Sequence, residues 1–244
     1  MKEFASTLKQ TLQLNKKDIA TYIILAIVSG MIGIIIPLIM GNIFIEQKEY
    51  IELGFICAVS IDMLIWCVNS IFSIPIDFNL AVSMGKTRKV YVPTRYVVLV
   101  SELIVIFAVA KGVNIIEKVI YQIMLPQSVA VTNVNVFFTS PIALLVILFA
   151  LPALIILLGI LYIRYQKKFA FIAWVAWMLG CTGIAKIIPA IEENPDSFLG
   201  KIGWMVINFF SQTDTLVQCI GIIASSIIAL YFAGRLLRRQ HILA

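Results

Sequence analysis

Two carboxyl-bearing residues stand where carboxyl groups are costly: Asp62 and Glu102 each interrupt an otherwise apolar run. A charge at the centre of a membrane helix costs about 2.5–3.5 kcal/mol on insertion scales, and ionisable residues so placed usually face a bundle interior or a cavity. Two kinds of chemistry are open to them. One is holding or relaying a proton or a cation; the other is a structural hydrogen bond to a neighbouring hydroxyl or backbone group. Little else along the chain offers reactivity. The single histidine, His241, lies in a basic tail, neither HExxH nor GxSxG occurs, and the acids do not cluster at metal-ligand spacing. No catalytic residue, cofactor-binding residue or metal ligand is therefore expected. Cys57, Cys67, Cys181 and Cys219 all fall inside apolar runs and form no CxxC, so they read as buried apolar filler. Gly85-Lys86-Thr87 falls short of a phosphate-binding loop, because Leu80 occupies the position where GxxxxGK[ST] requires glycine. It also follows an apolar helix rather than a strand, so ATP is not expected on this chain.

The elements that must position these residues are set by composition. The chain has 244 residues, of which 61% are hydrophobic and 13% charged, with a mean hydropathy of +1.00. A soluble domain is roughly half apolar and a quarter charged, so the expected solvent is a bilayer. Six segments qualify as transmembrane helices, at about 19–45, 51–76, 96–118, 140–163, 169–188 and 213–233, each apolar on all sides. With roughly 20 residues per span, these and their connections use most of the 244 residues and are expected to form a single all-α transmembrane domain. The first apolar run exceeds the roughly 7–15 residue core of a cleavable signal and is expected to persist. Kinks are expected at Pro37 and Pro152.

Lysine and arginine set the orientation. Lys2, Lys9, Lys16, Lys17, Lys86, Arg88, Lys89, Arg95, Arg164, Lys167, Lys168, Arg235, Arg238 and Arg239 fall in one alternating set of segments. The other set holds Lys48, Lys111, Lys118, Lys186 and Lys201 with eight acids, among them Glu49, Glu117 and Glu193. The positive-inside rule makes the first set cytoplasmic, with both termini inside. A net charge of +6 distributed this way points to the membrane rather than to nucleic acid.

Four segments are expected not to span. Residues 1–17 place Phe4, Leu8 and Leu12 on one helical face, the pattern of an amphipathic helix on the inner interface. Within 77–95, the proline-free stretch Asn79 to Tyr91 fits a short cytoplasmic helix. The outer loop 119–139 has no clear structure. Residues 200–212, apolar but too short to cross, read as an outer re-entrant segment with Trp204 at headgroup level. Small residues at helical spacing, Ala26 with Gly30, Ser29 with Gly33 and Gly221 with Ser225, permit close helix packing.

This layout resembles the membrane subunit of ABC-2 type ABC transporters. The stretch Phe78-Asn79-Leu80-Ala81-Val82-Ser83-Met84-Gly85-Lys86-Thr87-Arg88-Lys89 is similar to the SxGxTRK loops of small permeases from Gram-positive bacteria. The resemblance implies a bacterial cell-membrane permease that pairs with a second copy or a sister permease. It further implies docking to separate ATP-binding subunits that carry ATP and magnesium. Val82, Met84, Gly85, Lys86, Thr87, Arg88, Lys89 and Tyr91 would form the coupling element, with Lys86, Arg88 and Lys89 meeting acidic groups and Val82 and Tyr91 filling an apolar groove. Export of a lipid, a hydrophobic drug or an antimicrobial peptide is implied. A stand-alone secondary transporter or channel using Asp62 and Glu102, or a membrane scaffold, are the alternatives.

Overall fold

A computed structural model describes residues 15–44, 49–83, 88–124, 129–130, 140–165 and 214–238, with single positions at 4, 6–8, 11, 13, 168, 169, 172, 175 and 201. The described chain is almost wholly helical. Helix α1 spans Lys16–Phe44, α2 Leu53–Ser83, α3 Arg88–Met124, α4 Pro141–Tyr165 and α5 Thr215–Arg238. All five contain stretches long and apolar enough to cross a membrane, where a helix satisfies every backbone group internally. The expected span 169–188 and the re-entrant segment 200–212 lie almost entirely outside the described residues. In the leader, the described positions Phe4, Ser6, Thr7, Leu8, Thr11 and Gln13 are helical, with Thr7 buried and Phe4 and Leu8 half-buried.

Two expectations need correction. The stretch Asn79 to Tyr91 does not form a helix of its own: its described residues belong to α2, which continues to Ser83, and to α3, which begins at Arg88, the two helices packing as a long hairpin. The cause is apolar zipping below the membrane-length portion. Phe78, Ala81, Tyr91 and Val92 are buried together, and the Phe78 and Tyr91 rings meet edge to face at 5.3 Å. The loop 119–139 is also shorter than expected, because α3 continues to Met124. Within it β2 (Val129–Ala130) pairs in parallel with β1 (Glu49–Tyr50), Glu49 opposite Val129 and Tyr50 opposite Ala130.

Helices α1, α2 and α3 pack on one another, and α5 packs on α3 and α4. Buried positions of α2 recur at helical spacing, Ala58, Asp62, Trp66, Ser70, Ile74 and Phe78, giving the stripe that faces the bundle. Close approach at its N-terminal end depends on glycine. A Cβ on Gly33 would stand 2.6 Å from the Leu53 carbonyl oxygen, and one on Gly54 would meet Ile34 Cγ1 at 2.6 Å. The small residues of α1 are thus consumed inside the chain. Around Gly221 on α5 there is open space, and Ser225 is exposed.

Prolines are accommodated in two ways. Helices α1, α2 and α3 continue through Pro37, Pro75 and Pro93. Helix α4 instead meets Pro152 with a π-helical turn over Val146–Ala150. Proline lacks an N–H and clashes with the carbonyl four residues back; the wider turn, in which the Leu151 N–H donates to the Val146 carbonyl, opens the ladder just ahead of the ring. The start of α4 is capped by Ser140, whose Oγ accepts from the Ala143 N–H at 3.3 Å.

Candidate functional site

The polar side chains buried in the α1–α2–α3 unit fall into tiers along the helix axes. At one end the Glu117 carboxyl on α3 accepts from the Gly54 and Phe55 N–H groups, at 2.8 and 3.1 Å. It thereby caps the otherwise unsatisfied N-terminus of α2. Beside it Lys118 Nζ lies 3.1 Å from Glu52 Oε1.

Lower in the bundle, Glu102 is 2% exposed, and both of its oxygens are engaged. Oε1 accepts from Asn15 Nδ2 at 2.8 Å, and Oε2 accepts from Trp66 Nε1 at 2.9 Å. One carboxyl therefore joins the residue just before α1 to both α2 and α3. Nearby, Asn69 Nδ2 donates to the Tyr22 hydroxyl at 2.8 Å, a second link between α1 and α2.

About 10 Å further along α3, at ~1.5 Å per residue, comes Arg95, which is 3% exposed. Its Nη1 lies 3.2 Å from Asp77 Oδ2, and its Nη2 donates to Ser73 Oγ at 2.7 Å. The Tyr91 hydroxyl donates to the Ile74 carbonyl at 2.9 Å. These contacts tie the C-terminal part of α2 to the N-terminal part of α3, which opens on Arg88 and Lys89.

Asp62 differs from all of these. It is fully buried on the α2 stripe, one turn from Ala58 and one from Trp66, and among the described residues neither carboxyl oxygen has a hydrogen-bond partner. Asn114 on α3 is likewise buried with both side-chain polar atoms unbonded. The two acids singled out from sequence are therefore not brought together: Glu102 is held by structural hydrogen bonds, whereas Asp62 is left without one. Such a buried carboxyl is costly and marks a functional candidate. Asp62→Asn should leave the yield and melting temperature of the purified protein near those of the wild type, because shape is kept. Under the transport function proposed below, the same variant should change the transport rate, and normal transport by it would remove Asp62 from that mechanism.

Of the expected coupling residues, Met84, Gly85, Lys86 and Thr87 lie outside the described residues. Arg88 and Lys89 open α3. Val82 is half-buried against the core of the same chain. Tyr91 requires correction: it is 5% exposed and bonded to Ile74, so it cannot fill a partner's groove. Sequence reading missed Arg95–Asp77, Asn15 and the Glu117 cap. Among the described residues no group of three or more His, Cys, Asp or Glu side chains could hold a metal ion.

No family model matches the chain, and neither a curated protein nor a solved structure is similar to it. Function has to be inferred from the site and the sequence, since a fold alone does not specify one.

Proposed function

We propose that this chain is the membrane-spanning subunit of an ABC-2 type exporter, moving a hydrophobic or amphipathic substrate outward with energy from separate ATP-binding subunits. The observation that carries this reading is the cross-tied hairpin of α2 and α3. At 37 residues α3 is about 55 Å long, well beyond the roughly 30 Å hydrocarbon core, so the hairpin projects from the membrane. Its projecting end is stiffened by the Arg95–Asp77–Ser73 contacts and the Tyr91–Ile74 bond. The turn bears Lys86, Arg88 and Lys89 within the permease-like wording. A stiff basic tip is what a separate ATPase needs in order to pull on two membrane helices at once. The coupling element is then the end of the α2–α3 hairpin rather than a free-standing helix.

Reversal of charge at Arg88 tests the assignment. Arg88→Glu should insert with normal topology but lose the stoichiometric ATP-binding subunit during purification, or keep it with hydrolysis uncoupled from transport. An acid-to-base change on the ATPase should restore part of the function. Retention of both partner and transport rate would refute the role of Arg88. Failure of any ATPase to accompany the wild-type protein would sink the reading as a whole.

The reading includes six spans with both termini cytoplasmic. The C-terminal half of α4 packs against the C-terminal half of α2, with Tyr162 on Phe72, and the C-terminal end of α5 lies beside the start of α3. Residues 169–188, between α4 and α5, have the length and apolar composition to supply the sixth crossing. In a background lacking the native cysteines, single cysteines at Glu49, Asn133 and Glu193 should react with an impermeant maleimide on intact cells. Those at Lys86, Lys168 and Arg238 should react only after permeabilisation. Labelling at position 168 from outside would overturn the topology.

The buried, unbonded Asp62 is the one observation that favours a stand-alone proton- or cation-coupled transporter. That reading predicts transport in proteoliposomes without any ATPase, driven by an ion gradient and lost in Asp62→Asn.

A further inference from the structure

Where the start of α3 meets the end of α5, an open cleft of about 640 Å³ lies between the two helices. Val92 and Pro93 form one wall, and Leu230 and Tyr231 the other. Gly234 lines it too, and a Cβ built there would meet nothing within 4 Å. Arg235 also lines it, exposed, and among the described residues no carboxylate pairs with it. The volume falls in the roughly 300–1,000 Å³ range of ligand sites. The lining is mostly apolar, with the Arg235 cation and the Tyr231 phenol among its residues, which is the polarity profile of a phospholipid rather than of a soluble metabolite. Basic pockets between membrane helices at the positive side take anionic headgroups.

We propose that this cleft holds one acyl chain of an anionic phospholipid, with the headgroup phosphate on the Arg235 guanidinium. Charge complementarity selects this occupant over a second copy of the chain, whose matching face would bring Arg235 against another Arg235 across a two-fold interface. The site sits on the face shared by the hairpin turn and the α5 C-terminus. The proposal rests on the orientation given above only for assigning the lipid to the inner leaflet. Lipid lodged here would contact the α2–α3 hairpin directly, through Val92 and Pro93 between Tyr91 and Arg95, and so would bias how firmly that hairpin is held.

The experiment uses the full chain in detergent, with phosphatidylglycerol or phosphatidylcholine added at equal concentration and bound lipid counted by native mass spectrometry. This readout carries no leaflet information, so its outcome is independent of orientation and of any ATPase. Wild-type protein should retain one phosphatidylglycerol in preference to phosphatidylcholine. Arg235→Gln should reduce that preference about fivefold, the factor equivalent to roughly 1 kcal/mol per basic residue at a lipid surface. Gly234→Leu, which fills the cleft where space is open, should abolish retention of both lipids. As a measurement that does not depend on those variants, Tyr231→Trp in nanodiscs should be quenched more by brominated phosphatidylglycerol than by brominated phosphatidylcholine. Equal retention of the two lipids by the wild type, or equal quenching, overturns the proposal. So does unchanged retention in Gly234→Leu, and so does a dimer cross-linked through cysteines at position 231, which would identify a second copy as the occupant.

Discussion

Arg95→Met should lower the unfolding free energy by about 3 kcal/mol, at the lower end of the roughly 3–5 kcal/mol seen when one member of a buried ion pair is removed. The methionine keeps the apolar stem that packs in the core, so the loss is specific to the guanidinium contacts. Asp77 is left without its cation, but its side chain is 24% exposed and can still be hydrated, which limits the damage. The opposite change is expected to be worse. Asp77→Leu strands a guanidinium that is only 3% exposed, with a single neutral acceptor, Ser73 Oγ, remaining. Its cost belongs near 5 kcal/mol, at the upper end of the same range. The double variant Asp77→Leu with Arg95→Met removes both charges and should recover most of the loss, since apolar replacement of a whole buried pair is often neutral. An SDS-titration midpoint for the three variants measures this ordering directly. If Arg95→Met unfolds at the wild-type midpoint, the pair does not hold the hairpin. On the proposed coupling mechanism, the same variant should bind its ATPase and still transport poorly, because a loosened hairpin transmits less of the ATPase motion.

That pair shows where sequence stops being informative. Five of the apolar spans were legible because lipid imposes a length and an absence of charge that any window of the chain reveals. Partnership was not legible. Arg95 stands in a basic run that reads as a loop charge, and Asp77 belongs to the other side of the turn. Joining them requires the register of α2 on α3, a tertiary quantity. The register is consistent once seen: from Ser73 to Trp66 and from Arg95 to Glu102 is seven residues in each helix, so both contacts fall on the same faces two turns apart. The separate coupling helix failed for a related reason. Its polar residues suggested a loop, while burial of Phe78, Ala81, Tyr91 and Val92 against each other carried both flanking helices to the turn. The role of Asn15 could not be read from a leader whose visible pattern was amphipathic.

Glu102 yields the second large effect, and its size depends on which cost dominates. Hydrogen bonds between membrane helices are worth only about 0.6 kcal/mol on average and about 1.7 at most, so two lost bonds alone would total roughly 1–3 kcal/mol. Glu102→Leu does more than delete bonds, because the Trp66 Nε1–H and the Asn15 amide remain buried without an acceptor. Orphaned donors cost about 1–3 kcal/mol each, and Asn15 can relieve its share by withdrawing from the bundle with the leader. Trp66 is fully buried in the core cluster and has no such escape. The expected total is therefore about 2–4 kcal/mol, with the leader released. Glu102→Gln separates the two donors: its single carbonyl oxygen can accept from one of them while its NH₂ group faces the other. It should cost about half as much and keep the Trp66 bond, since the indole is the donor that cannot move away. Hydrogen–deuterium exchange across residues 1–15 should accordingly rise in both variants and in Asn15→Ala, while Trp66→Phe leaves the leader protected and lowers only the melting temperature. Exchange in Asn15→Ala equal to wild type would show that the leader is held by something other than Glu102.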